Sequence, residues 1–225
     1  MCGIAGLIGW SGTENQIKSI KDNIQTSLRH RGPDSKGHWS SNINKIHFFH
    51  TRLSILDLSS SGHQPMQSSC GRYTICFNGE IYNHLKLKKN LKKNHKNINW
   101  KSNSDTETLL TLIEYIGIEN TLPKLIGMFA FVLFDRKNDL LYLVRDRMGE
   151  KPLYYGWSGN AFLFGSELKS LKLHPNWEGR INQAAVYEYM RLGYVPAPFS
   201  IYEGINKLEM KTAPRISLLN LAQKV

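Results

Sequence analysis

Long apolar runs are missing from this sequence. The longest, Met128 to Phe134, is far shorter than the roughly 20 residues a membrane-spanning helix needs, so no membrane partner is expected. A secretory leader is missing too, because Met1 to Trp10 has no basic flank and Gly3, Gly6 and Gly9 interrupt its apolar stretch. A cytoplasmic location is the resulting expectation. Cysteine is scarce: Cys2, Cys70 and Cys76 are odd in number and have no metal-ligand pairing. A disulfide framework is therefore not expected, and at least one thiol should be free. With 225 residues, of which 41% are hydrophobic, the chain is long enough for a sizeable core, as one large or two small domains.

Acidic residues are few relative to basic ones, 18 against 29, for a net charge of +11. Such a surplus invites a nucleic-acid reading. Six lysines (Lys86, Lys88, Lys89, Lys92, Lys93 and Lys96) crowd into residues 86–96 beside Leu85, Leu87 and Leu91. The run has no aromatic residue to stack a base and no glycine-bounded phosphate loop. We read it as a solvated helix face with no nucleic-acid partner, and keep a basic nucleic-acid binder as an alternative.

Periodicity lays out the elements. Cys2 to Gly9 reads as a short glycine-weakened strand. Thr13 with Gln16 forms a capping box ahead of a helix whose Ile17, Ile20, Ile24 and Leu28 share a face. Residues 29–37 read as a charged loop. Strands follow at Ile46 to Phe49, Arg52 to Leu56 and Arg72 to Phe77, the last two separated by a polar loop around residue 62. Ser104 with Glu107 forms a second capping box for a helix carrying Leu109, Leu112, Ile113 and Ile116 and ending at Gly117. Four more strands are predicted at Gly127 to Phe134, Leu140 to Arg145, Leu153 to Trp157 and Ala161 to Phe164. In MFAFVLF and LLYLV consecutive residues are apolar, as in strands covered on both faces. A last helix, Gln183 to Leu192 after the Asn182 cap, precedes a proline-rich stretch and a tail of weak periodicity.

Cys2 is the first candidate for chemistry. Removal of Met1 would leave a thiol and a free α-amine on one residue, and an amine with a pKa of about 7.7 to 8.0 can take the thiol proton without a histidine. Taken alone, Cys2 reads as a small hydrophobe opening a strand and Asn78-Gly79 as a hairpin turn, while Asp105 reads also as an acid at a helix N-terminus. Cys76 reads as core filler, Cys70 as a loop residue. His47 and His50 fall on opposite faces of a strand with no third ligand, so no metal site is expected.

Nine segments taken together resemble the class II glutamine amidotransferases, which are N-terminal nucleophile hydrolases, and in particular the glutaminase domain of glutamine-hydrolysing asparagine synthetases. They are MCGIAGLI (1–8), RHRGPDS (29–35), HTRLSILDL (50–58), GHQPM (62–66), FNGEIYNH (77–84), SDTETLL (104–110), GMFAFVLFD (127–135), RDRMGEKPLYY (145–155) and FGSELKSL (164–171). The resemblance implies an α+β fold, a four-layer αββα sandwich of two mainly antiparallel sheets. It implies Cys2 as nucleophile, with the Asn78 side-chain amide and the Gly79 N–H as the oxyanion hole. It further implies Arg52 on the α-carboxylate of L-glutamine, Asp105 helped by Glu80 on the α-ammonium, and backbone groups near Leu53 and Ile55 lining the pocket. His30, Arg31 and Asp34 are expected to order a loop beside it.

The resemblance places the amidotransferase domain at residues 1–193 and a divergent tail at 194–225, departing from the family pattern at Glu209. The SGGxDS loop of the ATP-dependent synthetase domain does not occur in this sequence. The expectation is the glutaminase half of asparagine biosynthesis, with no cofactor for glutamine hydrolysis and with ATP and Mg²⁺ confined to a synthetase domain or subunit. Two alternatives stay open: a non-catalytic remnant that binds glutamine or a synthetase partner, and an ammonia donor to a sugar acid or other metabolite.

Overall fold

The computed structural model describes residues 1–218; the last part of the expected tail, 219–225, lies outside the described residues. In chain order the elements are β1 (Gly3–Ile8), α1 (Glu14–Ser27), β2 (Ser35–Ser41), β3 (Ile46–Arg52), β4 (Met66–Gln67), β5 (Tyr73–Ile81), α2 (His84–Asn94), α3 (Asp105–Ile116) and α4 (Ile118–Thr121). Then follow β6 (Gly127–Asp135), β7 (Leu140–Arg145), β8 (Tyr154–Ser158), β9 (Ala161–Gly165), α5 (Leu168–Leu171), α6 (Gln183–Leu192), β10 (Ile205–Lys207) and β11 (Arg215–Ser217). None of these helices is long and apolar enough to cross a membrane.

Two antiparallel sheets stack face to face. One runs β10-β8-β9-β1-β3-β2 and the other β11-β7-β6-β5-β4. Between them lies a core of Ile4, Ile8, Phe48, Cys76, Val132 and Phe164. The alternation along β6 explains its continuous apolar run: Ala130, Val132 and Phe134 enter this inner core, whereas Phe129, Phe131 and Leu133 face outward onto Leu87, Leu91, Leu109 and Ile113 of α2 and α3. On the far side, Ala5, Leu7 and Phe49 pack against Ile20 and Ile24 of α1 and Leu28 just beyond it. The layers are thus helix, sheet, sheet, helix, as expected.

Several local expectations are corrected. β3 is one continuous strand, not two segments broken at residues 50–51, and residues 53–56 are not strand. The polar residues inside it are partnered, His50 Nε2 lying 3.1 Å from the Phe77 carbonyl and Thr51 Oγ1 donating to the Leu28 carbonyl at 3.1 Å. The end of the 29–37 loop is β2, a polar edge strand held by its register on β3 from Ser35 opposite Arg52 to Ser41 opposite Ile46. The capping box at Thr13 is complete, but that at Ser104 is half made: Ser104 accepts the Glu107 N–H, while the Glu107 carboxylate turns to the N–H groups of Lys101 and Ser102. Lys88 leaves the solvated lysine face, donating to the Ser102 carbonyl at 2.8 Å and standing 4.3 Å over the Trp100 ring. Beyond α6, β10 pairs with β8 and β11 with β7, so the weakly patterned tail adds a strand to each sheet.

Candidate active site

β1 is an inner strand, flanked by β3 and β9, and Gly3 sits opposite Thr51. Cys2 is therefore placed where the chain leaves β3. The Leu53 N–H points at Cys2 Sγ from 3.5 Å, and the Leu53 carbonyl lies 3.8 Å from the same sulfur. Burial pushes the Cys2 thiol above its ordinary pKa, with the Leu53 contact and the Arg52 charge pulling the other way. A thiol in this state needs a base before it can attack.

Asn78 projects from β5 on the face that carries Thr74 and Cys76. It does not turn a hairpin: β5 continues through Gly79 to Ile81, paired with β6 throughout. A Cβ at Gly79 would stand 2.2 Å from the Met128 carbonyl oxygen, so this close approach of two strands requires glycine. The Asn78 amide is fully buried, and neither Nδ2 nor Oδ1 has a hydrogen-bond partner. Leaving such a group unpaired costs on the order of 1–3 kcal/mol. The preceding residue is pinned from two directions, because β4 covers β5 only as far as Ile75. Beyond it, Gln64 Oε1 accepts the Phe77 N–H at 2.7 Å, and His50 donates from Nε2 to the Phe77 carbonyl. Burial keeps His50 neutral, its pKa lowered to about 4.

Cys2, Asn78, Gly79, Glu80, Arg52 and Asp105 line one cavity of about 100 Å³ that opens to solvent, with Leu53 and Ile55 at its wall. Ile55 stands at the mouth, 67% exposed. Arg52 is mostly buried, and its terminal nitrogens donate to the carbonyls of Asp57 and Ser59, holding the loop after β3 against the cavity. Asp105 opens α3. Burial raises its carboxyl pKa, against the pull of the Ile81 N–H and of His84.

Behind Cys2, the RHRGPDS segment makes the contacts of an ordered loop. Arg31 Nε donates to the Cys2 carbonyl at 2.9 Å and Nη1 to Glu167 Oε1 at 2.9 Å. His30 Nε2 is also 2.9 Å from Glu167 Oε1, and Lys169 Nζ is 3.1 Å from Oε2. Asp34 accepts the Ser54 N–H at 2.7 Å. Burial alone would raise the Glu167 carboxyl, but hydrogen bonds from Arg31, His30 and Lys169 outweigh it and hold its pKa at about 2.

Gln64 and Glu167 are not among the candidates expected from the sequence, although GHQPM and FGSELKSL contain them; a polar residue in an otherwise unexplained motif is the signal each carries. Cys76 lies in the inner core with Sγ 3.4 Å from the Phe49 carbonyl, away from the cavity lining, and Cys70 is exposed. His47 stacks on His38, on the opposite side of β3 from His50. Among the described residues no group of three or more His, Cys, Asp or Glu could hold a metal ion.

The glutamine amidotransferase domain family matches residues 1–220. A putative asparagine synthetase (glutamine-hydrolyzing) 2 of Methanocaldococcus jannaschii is 38% identical, the match covering 94% of this chain and 43% of that protein. The asparagine synthetase (glutamine-hydrolyzing) 3 of Bacillus subtilis is 37% identical over 92% of this chain and 33% of its own length. The chain thus spans less than half the length of either relative. Among solved structures, glutamine phosphoribosylpyrophosphate amidotransferase from B. subtilis superimposes with a TM-score of 0.64 at 19% identity, covering 96% of this chain and 49% of that one. The allosteric regulatory enzyme of purine biosynthesis gives a TM-score of 0.63 at 23% identity, over 76% and 43%. At these identities the likeness is one of fold, two stacked antiparallel sheets between helical layers. With the family matched over nearly its whole length, this chain belongs to the glutamine amidotransferase domain family, as a class II member homologous to the amidotransferase part of asparagine synthetases.

Proposed function

We propose that the cavity hydrolyses the side-chain amide of L-glutamine to glutamate and ammonia through a γ-glutamyl thioester on Cys2. The observation that carries this reading is the unpartnered, fully buried Asn78 amide lining the same cavity as the Cys2 thiol. Such a group has its desolvation cost already met in the free protein, and gains a partner when an oxyanion forms beside it. Gly79 supplies the second donor from its backbone.

In this reading the α-amine of Cys2, freed by removal of Met1, takes the thiol proton, and the thiolate attacks the amide carbon. The negative charge moves to the former carbonyl oxygen, held by Asn78 Nδ2 and the Gly79 N–H. Collapse expels ammonia, which receives the proton back from the amine. The same amine then deprotonates a water that cleaves the thioester. Arg52, which lines the cavity, meets the α-carboxylate, Asp105 with Glu80 meets the α-ammonium, and backbone at Leu53 and Ile55 closes the pocket.

No cofactor takes part in these steps. The names of the relatives support asparagine biosynthesis as the setting, with aspartate accepting the ammonia on a synthetase domain or subunit that uses ATP and Mg²⁺. Ammonia release from glutamine by the purified protein, alone and with an added synthetase, tests the reading. Activity that disappears in Cys2→Ala supports it, and activity unaffected by that change overturns it.

A further inference from the structure

We infer that Glu167 is a positioning residue for the nucleophile, clamping the start of β1 together with Ser166 and acting on Cys2 through Arg31. The inference rests on the reading of Cys2 as nucleophile. Ser166 and Ile4, 162 positions apart, are tied twice: the Ile4 N–H donates to Ser166 Oγ at 3.1 Å, and the Ser166 N–H donates to the Ile4 carbonyl at 2.8 Å. The next residue, Glu167, reaches the guanidinium of Arg31, whose Nε holds the Cys2 carbonyl. Residues 2 and 4 are thus both gripped from one dipeptide at the end of β9.

The charges explain why a carboxylate is needed. The Arg31 side chain is only 7% exposed, and a guanidinium that deep requires an anion to offset its desolvation. Glu167 is that anion, and one oxygen on Nη1 turns the planar group so that Nε faces the Cys2 carbonyl. Glu167 is in turn anchored through its own carbonyl, which accepts the Ser170 hydroxyl at 2.7 Å. A nucleophile on the second residue of a chain would otherwise fray. Glu167 does not line the cavity, so its effect should fall on turnover and not on glutamine binding.

The test compares wild type, Glu167→Gln, Glu167→Asp and, as a control, Glu178→Gln, which loses a carboxylate from an exposed ion pair with Arg180, with melting temperature checking the fold. Glu167→Gln is expected to lower kcat for glutamine hydrolysis about 10- to 100-fold while KM moves less than threefold. Alkylation of Cys2 by iodoacetamide, read by mass spectrometry with exposed Cys70 as internal reference, should accelerate at least threefold, because an unclamped thiol is more accessible. Glu167→Asp keeps the charge but withdraws it, so it should show the same pattern more weakly, and it decides the matter if Glu167→Gln does not fold. Glu178→Gln should stay within twofold of wild type. Folded Glu167 variants with wild-type kcat, a loss confined to KM, or an unchanged Cys2 alkylation rate would each overturn the inference. A wild-type protein that hydrolyses no glutamine would refute the proposed reaction instead, and the alkylation rates would still decide the clamp.

Discussion

Asp105 Oδ2 accepts the backbone N–H of Ile81 at 2.9 Å, joining the first residue of α3 to the last residue of β5. The same strand carries Asn78 and Gly79, so the group proposed to hold the substrate's ammonium and the groups proposed to hold the oxyanion are fixed to one another. Oδ1 makes a longer contact, 3.4 Å, with the Thr106 hydroxyl, and the carboxylate lines the cavity.

The active protein is expected to begin at Cys2, with an intact mass lower by one methionine. A chain that keeps Met1 has an amide nitrogen where the base should be, and should release no ammonia. Cys2→Ser should be inactive with unchanged circular dichroism. Cys76→Ala, which removes a buried hydrophobe from the inner core, should retain turnover and lose about 0.5–3 kcal/mol of stability in urea titrations.

Asn78→Ala removes a donor used only when charge develops. Turnover should fall on the order of 10² to 10³ in kcat with little change in KM. Steady-state kinetics that placed the loss in KM would remove Asn78 from the oxyanion hole.

Asp105→Asn should act in the opposite way. Losing a charge-assisted contact worth roughly 1.5–3 kcal/mol should raise KM for glutamine about 10- to 100-fold. Stability should not suffer in parallel. Burial raises the carboxyl pKa in the folded state, so ionised Asp105 opposes folding at any pH above its unfolded value. Asparagine can still accept the Ile81 N–H without that charge, and the melting temperature at pH 7 should equal or exceed that of wild type.

Gln64→Ala should destabilise by about 1–3 kcal/mol, because the buried Phe77 N–H it satisfies has no strand neighbour to replace it. Denaturant midpoints measure this. Loss of kcat should accompany it, since Phe77 adjoins Asn78.

Acid should release the network around Glu167. Its folded pKa of about 2 lies below the ordinary value of 4.5, so its contribution to stability is present above about pH 4.5 and is lost as pH falls toward 2. Unfolding midpoints followed from pH 7 to pH 2 should fall more steeply in wild type than in Glu167→Gln; equal slopes would show that the network contributes nothing.

The sequence by itself determined the elements whose signals are local and the motifs whose order identifies the family. The α1 cap, the two-faced β6 and β7, and the α3 start at Asp105 needed only hydrogen-bonding and burial patterns within a few residues. The set Cys2, Arg52, Asn78, Gly79, Glu80 and Asp105 was legible as candidates because nine short segments occur together. Tertiary structure alone decided that these residues meet in one cavity, since their separations in the chain reach about a hundred positions. It also decided that Asn78-Gly79 continues a strand where the dipeptide favours a turn, because pairing with β6 holds the backbone extended. The polar edge strand β2 exists through its register on β3 and has no apolar alternation of its own. The Phe77 N–H and carbonyl find Gln64 and His50, and the Cys2 carbonyl finds Arg31. No local rule links those residues, because each satisfies a buried backbone group that only the stacked sheets bring within reach.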